Sequence, residues 1–180
     1  MNLMLVYFLL FILFILLILL SLYILISFLF IYYDIKNKVF FAPSEKRIIE
    51  EFFKIYPFEK DKIFFDLGSG DGRVVFLAEE KGMKAYGVEN NLILYLFSKI
   101  LKKIKKSKAN FIRSDLRKID LKKCDYIYLY LLPKFLEEIE EEIFEKISPK
   151  TKIISYKFKF PNKKVKEVYL DKFFIYEKNF

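Results

Sequence analysis

Asp66, Gly68, Gly70 and Gly72 recur at every second position, with Ser69 and Asp71 between the glycines and Arg73 directly after them. The apolar run Ile63-Phe64-Phe65 leads into this segment, and an apolar helical pattern leaves it at Val74. The order reads as a buried strand, a tight glycine turn and a helix, which lets backbone approach a bound cofactor closely. The spacing selects among cofactors. A dinucleotide fingerprint runs G-x-G-x-x-G, and its third glycine would fall at Arg73, where a long cation stands instead. Asp66 and Asp71 would also repel a pyrophosphate. A turn walled by carboxylates suits a ligand that carries an ammonium group and a sulfonium.

The next strand pattern, Lys84–Glu89, follows Gly82 and ends in an acid about 20 residues past the turn, where a ribose-binding carboxylate is expected. Glu89 would accept from both ribose hydroxyls in charge-assisted hydrogen bonds. A third short strand, 109–113, stops just before Asp115-Leu116. The D-x-G-x-G-x-G turn resembles motif I of the class I S-adenosylmethionine-dependent methyltransferases. That resemblance implies S-adenosyl-L-methionine as cofactor, held by Asp66, Gly68, Ser69, Gly70, Asp71, Gly72, Arg73, Glu89 and Asn90. It places Ser44 near the methionine end, gives Asp115 the adenine amino group and has the Leu116 N–H read the ring. Taken without the resemblance, an acid at position 115 is more often a helix cap.

The elements that must position these residues alternate. Ser44 is expected to N-cap a helix with Glu45 in its first turn and Ile48, Ile49, Phe52 and Ile55 as its apolar stripe, ended by Pro57. Strands are expected over 62–66, 84–89, 109–113, 125–131 and 151–158, and helices over 72–81, 91–106 and 133–147. Segments 165–170 and 172–178 read as a closing antiparallel pair. Such alternation predicts an α/β, Rossmann-like domain with a mostly parallel seven-strand sheet and helices on both faces.

Residues 3–33 are almost wholly Leu, Ile, Phe, Val and Tyr, interrupted by Ser21 and Ser27. A helix needs about 20 apolar residues to cross the hydrocarbon; tilt or an interfacial end marked by Tyr32 and Tyr33 would absorb the excess. A secretory signal would want a basic start, a shorter apolar core and a small-residue cleavage site, and none is visible. The expected organisation is a transmembrane anchor over 1–33, a juxtamembrane linker over 34–43 and a methyltransferase domain over 44–180. Lys36, Lys38, Lys46 and Arg47 follow the span, which puts the domain on the cytoplasmic side by the positive-inside rule. The membrane would be the plasma membrane of a prokaryote or the inner mitochondrial membrane of a eukaryote.

Composition removes other chemistries. With no His and a single Cys124, neither a conventional zinc site nor a Ser-His or Cys-His nucleophile can be assembled. Methyl displacement from a sulfonium requires none of them. The formal charge of +9 lies entirely beyond residue 33, and six lysines crowd positions 99 to 108. Only four of the 32 basic residues are Arg, the residue on which base and phosphate recognition leans. A solvated face therefore comes first, attraction to anionic headgroups second and nucleic acid last. The glutamates between 137 and 145 read as a solvated helix face.

The acceptor should lie just after the fourth strand, at Tyr130-Leu131-Leu132-Pro133. Enzymes that methylate adenine or glutamine nitrogens show an Asn/Asp-Pro-Pro-aromatic motif there. This chain keeps one proline and lacks the acid or amide, leaving amine, hydroxyl and carbon acceptors. The ordered segments Phe41 to Ser44, Asp66 to Arg73, Glu89-Asn90, Arg113 to Leu116, Tyr130 to Pro133 and Lys157-Phe158-Lys159-Phe160-Pro161 narrow the comparison. Across roughly residues 40 to 162 they are similar to the membrane-tethered protein-lysine methyltransferases of the ADP/ATP carrier and the ATP synthase c-ring protein, and to their prokaryotic relatives. The chain departs from them where Asn91 runs on to Leu92 instead of a proline. The resemblance implies a membrane-associated protein lysine as acceptor, with Tyr130, Pro133 and Lys157 facing it. A neighbouring sulfonium would lower the lysine pKa without a dedicated base. A lipid or quinone acceptor is the alternative. A non-catalytic binder is the third reading, and its mark would be a degraded glycine turn.

Overall fold

The computed structural model describes residues 3–37 and 44–178, which fall into two units, Met1–Ala42 and Pro43–Phe180. The first is a single helix, α1 (Leu3–Asn37), about 52 Å long at 1.5 Å per residue. Its Leu3–Leu29 segment is long and apolar enough to cross a membrane. Ser21 donates from Oγ to the Ile18 carbonyl at 2.8 Å, so this hydroxyl is satisfied within the helix. The helix runs four residues past its expected end at Tyr33, because Asp34 to Asn37 include neither Gly nor Pro to stop it. The rest of the expected linker, 38–43, lies outside the described residues.

The second unit alternates as its periodicities require. It comprises α2 (Lys46–Ile55), β1 (Ile63–Leu67), α3 (Arg73–Glu80), β2 (Lys84–Glu89), α4 (Leu92–Lys105) and β3 (Asn110–Arg113). A 3-10 turn (Leu116–Lys118) follows, then β4 (Tyr126–Leu129), α5 (Pro133–Lys146), β5 (Lys152–Tyr156), β6 (Glu167–Tyr169) and β7 (Phe173–Glu177). The seven strands lie in the order β3-β2-β1-β4-β5-β7-β6. The first five pair in parallel, and β7 inserts antiparallel between β5 and β6. This is the expected Rossmann-like sheet with its closing hairpin. Strand order reverses between β1 and β4, so a crevice opens at their carboxyl ends, the usual ligand position in such sheets.

Two apolar layers flank the sheet. Phe64, Ala85 and Phe111 face the side covered by α2, α3 and α4, whereas Phe65, Leu67 and Val88 face α5. The first layer is aromatic: Phe52 of α2 stacks on Phe173 of β7 with ring centroids 4.0 Å apart, and both are fully buried. Truncating a ring so placed costs about 3–5 kcal/mol. One helix start differs from expectation. The residue capping α2 is Glu45, without a side-chain capping bond, because the Ser44 hydroxyl turns instead to Tyr128.

Candidate active site

The turn after β1 is built from backbone conformations that favour glycine. Gly68, Gly70 and Gly72 have φ of +91°, +54° and +82°, in the left-handed region. The amides of Gly68 and Ser69 both donate to the Val88 carbonyl at 2.9 Å, and the Gly70 amide donates to Glu89 Oε2 at 2.9 Å. A Cβ on Gly72 would stand 2.6 Å from the Phe111 ring. Gly72 therefore supplies the close helix-to-sheet packing that a dinucleotide turn assigns to the next position, and Arg73 is free to point elsewhere. Gly87 on β2 does a matching job, since a Cβ there would meet both Phe111 and Ser69 Oγ at 2.8 Å.

Arg73 reaches sideways. Its Nη2 holds Asp71 Oδ2 at 2.6 Å, and its Nη1 donates to the Ser44 carbonyl at 2.8 Å. The segment before α2 is thereby fastened to the glycine turn, bringing Ser44 to the site through its backbone. Ser44 Oγ lies 3.5 Å from the buried Tyr128 hydroxyl. Tyr128 in turn is the register partner of Asp66 on β1. Burial, and then the Glu89 and Asp71 carboxylates, push the Asp66 carboxyl well above the usual range. Burial likewise pushes the Tyr128 phenol up, and Asp66 adds to it.

Glu89 ties the turn to the following loop: Oε2 takes the Gly70 amide and Oε1 the Asn91 amide at 2.8 Å. A carboxylate has about four acceptor positions, so ribose hydroxyls would share it with these two amides. Asn90 sits exposed on the rim. Asn91 caps α4, its Oδ1 accepting from Ile93 N at 2.9 Å and Leu94 N at 3.2 Å. Its Nδ2 and the Ser69 hydroxyl are buried without a partner among the described residues. Asp115 is found as a cap: it accepts from Arg117 N at 2.9 Å and pairs with Arg117 Nη2 at 3.0 Å, which holds its carboxyl below the usual range. Leu116 opens the 3-10 turn beside it, half-buried.

A second cluster gathers at the ends of β4 and β5. The Lys157 ammonium lies 5.6 Å from the Tyr130 ring centroid, 5.4 Å from that of Tyr156 and 2.9 Å from Glu45 Oε1. Tyr156 donates to the same carboxylate oxygen at 3.4 Å, and Lys172 stands 3.7 Å from it. Lys157 has φ of +66°, unusual for a side-chain-bearing residue. The structure thus brings Tyr130 and Lys157 together, while Pro133 is exposed and serves as the first residue of α5. Sequence reasoning missed Glu45, Asn91, Tyr128 and Tyr156 as site residues. An Asn directly before an apolar run is a readable cap signal for Asn91. The tyrosines read as plain strand residues, and nothing local marks Glu45.

The residues present fit S-adenosylmethionine. Three carboxylates converge on a turn where burial and like charge disfavour the ionised form of Asp66, so a cation is the ligand that relieves it. An orphaned amide donor lies beside the acid expected at the ribose.

The model of the ANTKMT methyltransferase domain matches residues 66–167, which contain the glycine turn, both acidic loops and Lys157. The chain belongs to this family. Among curated relatives, a protein-lysine N-methyltransferase of Saccharolobus islandicus is 25% identical over 132 residues, covering 71% of this chain and 82% of the relative. The Homo sapiens lysine N-methyltransferase named for the c-ring protein of ATP synthase is 27% identical over 124 residues, covering 68% and 53% respectively. The adenine nucleotide translocase lysine N-methyltransferase of Mus musculus is 30% identical over 99 residues, covering 53% and 43%. This ANTKMT-family chain therefore spans about half the length of the mammalian relatives it matches. Among solved structures, an RNA methyltransferase from Salinibacter ruber in complex with S-adenosyl-L-homocysteine superposes with a TM-score of 0.68 at 26% identity, covering 75% of this chain and 91% of that one. The domain is a class I methyltransferase, and its cofactor is S-adenosyl-L-methionine.

Proposed function

We propose that this chain is a membrane-anchored protein-lysine N-methyltransferase whose acceptor is a lysine presented close to the bilayer. The observation that carries the reading is the corner at Lys157. Two tyrosine rings and a carboxylate there already surround an alkylammonium, the same chemical group that an acceptor lysine presents. The lysine specificity named for the archaeal and mammalian relatives supports it.

S-adenosylmethionine, when bound, supplies an electrophilic methyl group on a sulfonium. Asp66 would then face the ammonium of the methionine end and Glu89 the ribose hydroxyls, with Asn90 at the rim and Asp115 and Leu116 toward the adenine. Arg73 holds the Ser44 segment against the turn, closing one wall. Tyr130, Tyr156 and Glu45 orient the acceptor amine, and such positioning supplies much of the rate in a direct displacement. The apolar α1 would anchor the domain, raising the effective concentration of membrane-bound acceptors. The basic residues after the span favour a cytoplasmic-side domain.

The test is incubation of the purified protein and membranes of its source cell with radiolabelled S-adenosylmethionine, followed by separation of protein from lipid. Label in a protein band, released as methyl-lysine and lost with Asp66→Ala, is expected. Label confined to the lipid extract would replace the lysine reading by a lipid or quinone acceptor.

A further inference from the structure

We infer that the outward face of α4 is a docking surface for an anionic lipid bilayer. Of the 14 residues in this helix, only Leu94 and Ser98 are buried, with Tyr95 and Leu101 partly packed on the core. Six apolar side chains point away from the sheet: Leu92, Ile93, Leu96, Phe97, Ile100 and Ile104. The last two are 56% and 71% exposed. At 3.6 residues per turn all six fall within about 140° of arc, one continuous stripe. A soluble helix would turn such a stripe inward, and a patch of this kind on a surface marks an interaction site.

Charge identifies the occupant. From Leu92 to Lys108 the chain has six lysines and no acid. Lys99 and Lys103 lie along one edge of the stripe by helical position, and Lys105, Lys106 and Lys108 crowd its carboxyl end, all three exposed. A second copy of this chain packed across a two-fold axis would set these lysines against their own images. Nucleic acid would leave the apolar stripe in water. A bilayer with acidic headgroups takes both halves at once: the stripe enters the acyl boundary and the lysines stay at the phosphates. The helix starts two residues after Glu89, so docking would fix the cofactor end of the sheet relative to the lipid surface.

The full chain is reconstituted into vesicles of phosphatidylcholine mixed with phosphatidylglycerol, and into phosphatidylcholine alone. A polarity-sensitive fluorophore is attached singly at Phe97→Cys, at Glu137→Cys on α5 across the sheet, or at Leu16→Cys in α1. Cys124 is buried and stays unlabelled. In the anionic vesicles, shallow lipid-borne quenchers should remove roughly half of the emission at position 97, since an in-plane helix seats about 5–10 Å deep. The effect should fade with salt and be missing at position 137. A water-exposed label at position 97 in both vesicles would overturn the proposal, whatever position 16 reports. Disulfide crosslinking between copies at position 97 without lipid quenching would also overturn it, giving the face to a dimer. Equal, salt-indifferent quenching in both vesicles would remove the lysines' part and defeat the proposal as stated. None of these readouts requires methyl transfer, so the acceptor reading can fail separately.

Discussion

The Lys157 ammonium lies 2.9 Å from the Glu45 carboxylate, joining the end of β5 to the residue that caps α2. Each member shifts the other in the expected direction: the Lys157 hydrogen bond lowers the Glu45 carboxyl, and the Glu45 hydrogen bond raises the Lys157 ammonium. Both are largely exposed, so the pair adds little to folding. Its value is positional, because it keeps the Ser44 segment beside the Tyr130 and Tyr156 rings.

Glu45→Gln should therefore leave thermal stability and cofactor affinity near those of the parent protein while lowering kcat/KM for the methyl acceptor by about tenfold. Lys157→Met should do the same, and the double variant should be no worse than either single one, because both remove one interaction. Steady-state kinetics with the labelled acceptor, beside calorimetric titration of S-adenosylmethionine, check this. An additive double variant would separate the two residues.

Asp66 makes stability and binding depend on pH in opposite senses. Its carboxyl is raised in the folded protein from an ordinary 3.8, so between that value and the raised one the native state holds a proton that the unfolded chain has lost. The ligand-free protein should therefore lose stability as pH rises through that window. Asp66→Asn should flatten this part of the Tm profile. The same variant should weaken S-adenosylmethionine binding by about 10- to 150-fold, the range of one hydrogen bond to a charged group. A binding constant unchanged by Asp66→Asn would remove Asp66 from the cofactor site.

The contrast between Asp66 and Glu45 shows what the sequence makes legible. Asp66 ends an apolar strand pattern and opens a glycine turn, so its place follows from neighbours within a few residues. The same holds for the seven strands, whose β-branched and aromatic runs alternate with helical spacing. Glu45 meets Lys157 only after the sheet has formed, and no local pattern encodes that meeting. The apolar pattern also runs past the ends of β4 and β5, because Tyr130 and Phe158 continue it after pairing has stopped. In α4 the spacing marks a helix but not which way its stripe faces; that is decided by the four-residue strand β3, with Leu94 and Ser98 the helix's only fully buried positions.

Cys124 offers an independent measure of folding. Burial pushes its thiol up to about 12, and Sγ lies 3.0 Å from the Tyr126 carbonyl. At pH 8 the thiolate fraction is then about one in ten thousand, against roughly a quarter for a free cysteine of pKa about 8.5. A thiol-reactive chromophore should leave the native protein unmodified at pH 8 and label it stoichiometrically in denaturant. The labelling rate against denaturant concentration would then report opening of the β1–β4 region. Rapid labelling of the native protein would show that this edge of the sheet is open.

Gly72 carries the most specific steric prediction. Its φ of +82° already disfavours any side chain, by about 1–2 kcal/mol. A Cβ would further press on the Phe111 ring at 2.6 Å, and overpacking of that kind costs about 1–3 kcal/mol. Gly72→Ala should therefore lower the Tm by several degrees and weaken cofactor binding together, since the turn and β3 must move apart. The two penalties can be separated. Phe111→Leu on its own should cost stability through lost packing, yet in the Gly72→Ala background it removes the collision and should restore part of the Tm. The portion that it fails to restore measures the backbone strain, which no change at Phe111 can relieve. If Phe111→Leu restores nothing, the contact is not what constrains Gly72. The glycine would then be there for its left-handed conformation alone.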